Sequence, residues 1–124
     1  MSIKVPHVIQ DKTFVSKKIF LNSADHPILV SGQIASGETF PFVAGTVLAK
    51  QTSTGKIVRY DNGGSDGADT AIGILGYQVD AQSVGATPLD VIIDYCIHGV
   101  VYEANLTGLD ANAKTDLAGA IIFR

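Results

Sequence analysis

Hydrophobic and β-branched residues fall in four short runs between residues 45 and 106, and glycine-rich turns separate these runs. The runs are GTVLAK (45–50), KIVRYD (56–61), AIGILGYQVD (71–80) and LDVIIDYCIHGVVYEANL (89–106). Thr54 and Gly55 lie between the first two, and a glycine at this place allows the positive φ that tight turns need. The first two runs are therefore predicted to form a β-hairpin.

The fourth run alternates between apolar and polar positions. Its odd positions are apolar at Val91, Ile93, Tyr95, Ile97 and Val101. Its even positions include Asp90, Asp94, Cys96 and His98. A period of two is typical of a strand with one buried face, so we expect the odd positions to point inward. Gly99 interrupts that face and predicts a bulge or a bend.

The C-terminal residues predict one more strand and one short helical segment. LAGAIIFR (117–124) is apolar enough for a final strand, and TGLDANAKTD (107–116) fits one helical turn capped by Asp110. Several short strands at nearly regular spacing predict a mainly β domain, either a small barrel or a sandwich.

The first 35 residues follow neither a helical nor a strand period. Pro6 and Pro27 restrict regular structure there, and ASGETFPF (35–42) predicts a flexible junction. We therefore expect a flexible N-terminal arm over residues 1–35 and a compact β domain over residues 36–124. The arm's apolar residues considered for partner binding are Ile3, Val5, Val8, Ile9, Phe14, Val15, Ile19 and Leu21.

The charge and residue types of this arm limit the classes of partner that it can bind. The net charge is −3, but residues 1–30 carry four lysines against two aspartates, whereas the remainder carries five basic against ten acidic residues. Pro6 and the β-branched residues disfavour a membrane-surface helix, and four lysines without arginine are a weak basis for nucleic-acid binding. Addition of the arm as a strand to another protein's sheet is the favoured interpretation.

The composition of the chain argues against a disordered, disulfide-bonded or membrane-spanning protein. The chain is 46% hydrophobic and 17% charged, which predicts a folded domain. The single cysteine excludes an intrachain disulfide, and no apolar run approaches the roughly 18 residues of a membrane span. The N-terminus lacks the features of a secretory signal, so we expect the protein to be intracellular at least where it is made.

YDNGGSDGADTAIGIL (60–75) is the stretch that most resembles a ligand-binding loop. Counted from Asp61, the sixth position of a calcium loop is Asp66 instead of glycine, and the twelfth is Ile72 instead of glutamate. TGKI (54–57) lacks both the upstream glycine and the hydroxyl residue of a phosphate loop. We interpret the stretch as a surface turn, with no metal or cofactor.

Cys96 and His98 are the remaining candidates for catalysis. Two positions along a strand separate them by about 6–7 Å, too far for a thiolate–imidazole hydrogen bond without a bend. Asp90 and Asp94, about 13 Å apart, are too distant for a glycosidase pair. We therefore predict no enzymatic activity, while a hydrolase that uses Cys96 and His98 remains an alternative.

The order of motifs from GTVLAKQTSTGKIVRYDNGGSDGADTAIGILGYQVDA (45–81) through IIDYCIHGVVYEANL (92–106) to LAGAIIF (117–123) resembles the lambda-type phage head decoration proteins. The resemblance covers roughly residues 40–124. It implies a small bent-ribbon, β-clip-like incomplete barrel with at most short helical turns and an extended N-terminal arm.

The resemblance also implies a function. Members form homotrimers at the three-fold and quasi-three-fold positions of the expanded head, bind the major capsid protein and stabilise the shell against packaged DNA. The arm would then bind the capsid by strand pairing, and the protein would be made in the bacterial cytoplasm and end on the virion exterior. The alternative is a small β-barrel binding module of a phage tail or carbohydrate-recognition type.

Overall fold

The computed structural model describes Ile19 and residues 27–124. These residues form a mainly β domain with one short α-helix and open sheets that do not close into a barrel. The predicted fold class is therefore confirmed, while the more specific β-clip arrangement stays a prediction. The strands are β1 (Ile28–Gln33), β2 (Val47–Lys50), β3 (Ile57–Arg59), β4 (Ala71–Leu75), β5 (Ser83–Val84), β6 (Thr87–Pro88), β7 (Ile92–Val101) and β8 (Ile121–Phe123). A 3₁₀ turn spans Glu103–Asn105 and helix α1 spans Ala111–Leu117.

One six-stranded sheet organises the domain. Its strands lie in the order β1-β7-β4-β2-β3, and β8 pairs in parallel with β7. The predicted hairpin is confirmed, because β2 and β3 pair antiparallel with Ala49 opposite Val58. The predicted strand over 71–80 is shorter than expected and ends at Leu75; beyond it only Val79 forms an isolated bridge, to Phe42.

The central strands are buried on both faces. One cluster contains Val47, Ala49, Ile74 and Cys96, and the other contains Leu48, Leu75, Ile93 and Tyr95. Neighbouring residues of one strand therefore enter different cores. This explains one wrong expectation: Cys96, assigned to the polar face of β7, is fully buried because helix α1 and its surroundings cover that face.

The predicted irregularity of β7 lies close to Gly99. The partner of Ile28 is His98 and the partner of Leu29 is Cys96, so the register shifts at this point and Ile97 has no partner in β1. An extra residue in one strand is the mark of a β-bulge. The irregularity thus centres two residues before the glycine.

The C-terminal predictions are both confirmed. Helix α1 begins after Asp110, whose carboxylate accepts a hydrogen bond of 2.8 Å from the backbone N–H of Ala113. Ala113 and Leu117 bury the inner side of the helix, and Asp116 accepts a hydrogen bond from the backbone of Ala71 at 2.9 Å. These contacts attach the helix to the start of β4.

The sheet begins earlier than the sequence indicates. β1 lies within residues 1–35, and it pairs antiparallel with β7 along its whole length. Period-based reading does not reveal this strand, because its partner comes about sixty residues later in the chain. Residues 28–33 therefore belong to the sheet. The predicted arm residues 1–18 and 20–26 lie outside the described residues.

Candidate functional site

On the side of the β1–β7 pair that carries Cys96, helix α1 covers Cys96 itself, but the described residues leave the part of the pair beyond it uncovered. Directly opposite residues in an antiparallel pair point to the same side, which places Leu29, Ser31 and Gln33 of β1 beside Cys96, Asp94 and Ile92 of β7. Leu29 is 51% exposed and Ile92 is 64% exposed. We call Leu29, Ser31, Gln33, Ile92 and Asp94 the β1–β7 face.

Polar contacts fix the middle of this face. The Ser31 hydroxyl donates a hydrogen bond of 2.9 Å to Asp94, and the backbone N–H of Asp94 donates to the phenolic oxygen of Tyr77 at 3.0 Å. Tyr77 is itself about half exposed. An aromatic ring with a held polar end, beside exposed aliphatic side chains, is typical of protein-binding surfaces.

An exposed hairpin comes shortly before β7 in the chain. β5 and β6 form a separate two-stranded sheet, with Val84 opposite Thr87. All residues from 80 to 90 are exposed, including Val84 and Leu89. A two-stranded ribbon alone in water is marginally stable, so a partner that covers these side chains would also stabilise the hairpin.

The outer edge of β1 presents backbone groups. The N–H of Ile34 donates to Val91 at 2.9 Å, whereas the N–H of Ala35 points the other way and donates to Ile57 at 2.9 Å. Backbone groups alternate in direction along a strand, so those of Leu29 and Ser31 point away from β7. Within the described part of the chain, no strand pairs with β1 on that side of these two residues.

The surroundings of the β1–β7 face are acidic. Asp94 lies on the face and Asp90 is exposed shortly before β7. The sequence between residues 60 and 102 contains six aspartates and neither lysine nor arginine. This surface therefore favours a partner that combines apolar and basic side chains.

The Asp/Gly loop between β3 and β4 is a structural turn. Asp61 accepts a hydrogen bond from the backbone of Gly63, as predicted for an aspartate that caps its own backbone. Asp66 instead reaches the β2–β3 hairpin, where its carboxylate accepts from the Ser53 backbone at 3.0 Å and from the Ser53 hydroxyl at 2.6 Å. Among the described residues, no group of three or more His, Cys, Asp or Glu side chains is placed to hold a metal ion.

Cys96 is a buried thiol. Its sulfur donates a hydrogen bond of 3.1 Å to the backbone carbonyl of His98. Burial raises the pKa of the Cys96 thiol above its ordinary value, against the opposing effect of hydrogen bonds to the backbone of His98 and Ile28. A thiol held neutral is a poor nucleophile, so the arrangement does not favour the hydrolase alternative.

Arg59 lines a cleft together with Glu38, Thr39 and Val58. Its guanidinium stacks 3.8 Å from the centre of the Phe42 ring and donates to the carbonyls of Thr39 and Pro41. It also forms an ion pair of 3.6 Å with Glu38. These contacts hold the junction before β2 against the sheet.

Of the predicted arm residues, the structure describes Ile19 alone. Ile19 is buried in the core, its side chain lies beside Gly45, and its carbonyl accepts a hydrogen bond of 2.9 Å from Tyr102. Ile3, Val5, Val8, Ile9, Phe14, Val15 and Leu21 lie outside the described residues. Leu29, Ile92 and the β5–β6 hairpin were not predicted. The available signal was Ile92, an apolar residue between Asp90 and Asp94 at the even positions of the fourth run.

Within the described residues, no helix is long and apolar enough to cross a membrane. Among known families, the model of the bacteriophage lambda head decoration protein D matches residues 9–121. No individually curated protein matches the sequence. The family match covers nearly the whole chain, including β1 and most of the predicted arm.

Proposed function

The chain belongs to the bacteriophage lambda head decoration protein D family, and we propose that it binds the phage head as a homotrimer at three-fold and quasi-three-fold positions. Membership of this family assigns the protein to capsid decoration on the virion, a structural role. Beyond this role, we propose three further properties: that the protein is a trimer, that it occupies these positions on the lattice, and that it stabilises the shell against packaged DNA. The family match over residues 9–121 is the observation that carries it.

The partner we propose is the major capsid protein of an expanded head. The leading residues of the chain contain Ile3, Val5, Val8 and Ile9, which suit strand addition to a sheet edge of the shell. Ile19 is buried in the body, so the segment available for this contact precedes it. The protein would be made in the host cytoplasm and act on the capsid exterior.

A trimer with three arms can attach firmly to the shell even if the contact made by each arm is weak. Ordering each residue of an arm costs roughly 1–2 kcal/mol of backbone entropy, which offsets much of what one added strand gains. Linking three such contacts raises the overall avidity by about 10²–10⁴. A trimer that binds only the expanded lattice shifts the shell toward that state and opposes its rupture.

The test uses mature heads that lack this protein. Native mass of the free protein is expected to give a trimer, and binding of the wild type to heads is expected to saturate. A variant without residues 2–9 keeps Ile19 and the body, so its native mass should still be that of a trimer. Its attachment to heads should weaken at least about tenfold, as for the loss of linked contacts.

Two results would contradict the proposal. A wild-type protein that does not bind the heads would refute the assignment to their surface. Undiminished attachment of the truncated variant would refute the leading residues as the contact, although decoration itself would stand.

A further inference from the structure

The sequence and structure together provide two complementary surfaces on the same chain. The segment before Ile19 is basic, with Lys12, Lys17 and Lys18 against Asp11 between residues 11 and 18. The β1–β7 face is apolar and acidic, with Asp94 on it and Asp90 close by. Opposite charges at such surfaces promote encounter and fix orientation.

Residues 11–18 match this face in detail if they are extended. In a strand, alternate side chains point to one side, so Lys12, Phe14, Ser16 and Lys18 would share a side. That side has an aromatic residue flanked by two lysines. The β1–β7 face has exposed aliphatic residues, Leu29 and Ile92, next to aspartates.

The backbone of β1 can accept such a segment. The N–H and C=O groups of Leu29 and Ser31 point away from β7, and the described strands leave that side of them unpaired. An exposed apolar edge strand without lysine or proline is the ordinary template for addition of another strand. β1 has neither residue between Ile28 and Gln33.

The length of the segment and the symmetry of a trimer both favour a neighbouring copy of the chain as the source of the strand added to β1. The eighteen residues before Ile19 can extend up to about 60 Å, and a body of this size has a radius of gyration of roughly 13 Å. A ring of identical copies needs a contact between two different surfaces of the chain, repeated head to tail. A basic segment and an acidic face provide such a pair.

We propose that residues 11–18 of one copy lie as an added strand along the β1 edge of the next copy. Lys12 and Lys18 then lie near Asp90 and Asp94, and Phe14, which lies between these lysines, covers the exposed side chain of Ile92. Three such exchanges close the trimer, while the leading residues up to Ile9 stay available for the shell. This inference rests on the proposed trimer.

The experiment is carbodiimide cross-linking of the full-length protein, which joins a lysine to a carboxylate in direct contact. Unlabelled and ¹⁵N-labelled copies are denatured and refolded together, and native mass verifies that mixed trimers have formed. We expect cross-linked peptides that join Lys12, Lys17 or Lys18 to Asp90 or Asp94, with the two halves carrying different isotopes. Same-isotope pairs alone would place the segment on its own body and overturn the proposal, as would the absence of these cross-links.

Amide hydrogen exchange provides the second measurement. Strand addition should slow exchange of the amides between residues 12 and 17 at least about tenfold relative to an unprotected segment. Ser31→Pro removes a backbone donor that points away from β7, so the pairing of β1 with β7 should persist while the protection of residues 12–17 is lost. The double substitution Asp90→Asn with Asp94→Asn should also reduce this protection. Asp61→Asn with Asp69→Asn removes the same charge from the Asp/Gly loop and should leave the protection unchanged.

The outcomes separate this inference from the proposed function. A trimer that binds heads but shows no mixed-isotope cross-links overturns the exchange of segments alone. Protection that survives both Ser31→Pro and the Asp90/Asp94 pair overturns it as well. A wild-type protein that is monomeric by native mass overturns the proposed trimer, and the exchange falls with it.

Discussion

The phenolic hydroxyl of Tyr60 donates a hydrogen bond of 2.9 Å to Asp110, at the same carboxylate oxygen that caps helix α1 through Ala113. Tyr60 follows β3, so this oxygen connects the end of the hairpin to the start of the helix. Asp110→Ala removes both interactions. We expect the free energy of unfolding to fall by about 1–2 kcal/mol, measured by urea denaturation. Asp110→Asn retains an acceptor for the helix N-terminus and should lose less; equal losses would contradict the capping role.

Alkaline pH should weaken the same connection. Burial, the hydrogen bond to Asp110, and the charges of Asp110, Asp116 and Asp69 raise the pKa of Tyr60 from 10.0 to about 12. The unfolded chain therefore loses this proton at lower pH than the folded protein does. The contribution of Tyr60 to stability is complete below pH 10 and is lost as the pH rises toward 12.

Thermal unfolding between pH 8 and 12 measures this effect. The melting temperature of the wild type should decline across that range more steeply than that of Tyr60→Phe, which has no proton to lose. Parallel profiles for the two proteins would contradict the assignment.

Asp66 should stabilise the β2–β3 hairpin from outside it. Its carboxylate accepts two hydrogen bonds from Ser53, and its backbone has a φ of 57°, which aspartate and asparagine tolerate better than alanine. Asp66→Ala should lower the free energy of unfolding by about 1–2 kcal/mol in chemical denaturation. Asp69→Ala, an exposed position in the same loop, should change it by less than about 0.5 kcal/mol. Equal effects at both positions would argue against the link to Ser53.

Gly73 should tolerate no side chain. A Cβ at this position would lie 2.5 Å from the carbonyl oxygen of Cys96 and 2.8 Å from the ring of Tyr95, between two buried strands. Gly73→Ala should therefore destabilise the protein by about 1–3 kcal/mol, measured by its unfolding midpoint. Gly55→Ala is the comparison, because its Cβ would meet nothing within 4 Å and only the φ of +74° opposes it. A smaller loss for Gly73→Ala than for Gly55→Ala would refute the close approach.

The thiol of Cys96 should react only after unfolding. It is fully buried, and burial raises its pKa, so little thiolate forms near neutral pH. A chromogenic disulfide reagent should label the native protein at the rate of its unfolding, and should label it at once in denaturant. Rapid labelling of the native protein at pH 7.5 would contradict this account and revive the hydrolase alternative.

Local signals predicted the elements whose partners lie nearby in the chain. Gly55 marked the turn of the β2–β3 hairpin, and Asp110 marked the start of helix α1. Both depend on a few residues whose backbone preferences are visible in the sequence. The alternation of Val91, Ile93 and Tyr95 likewise predicted their burial.

Features that depend on distant packing were not predictable in this way. The alternation of apolar and polar residues in β7 predicts that the side chain of Cys96 points outward, but the layer that contains Leu117 and Ile121 covers it. β1 contains apolar residues without a clear period, and its pairing with β7 decides that it is a strand. The β1–β7 face exists only because these two strands pair. It could therefore not be predicted from a sequence that did not reveal β1.

The central position of β7 has a consequence for biosynthesis. β1 emerges from the ribosome first among the described strands, yet its partner begins only at Ile92. Until then β1 lacks β7, the strand with which it pairs among the described residues, while the β2–β3 hairpin can already pair locally. Contacts between residues far apart in the chain make folding slow, and unpaired apolar strands are exposed to aggregation during that time. During synthesis, β1 is therefore the strand that stays unpaired for the longest time and is most exposed to aggregation. A chaperone that bound β1 early would increase the amount of protein that folds correctly.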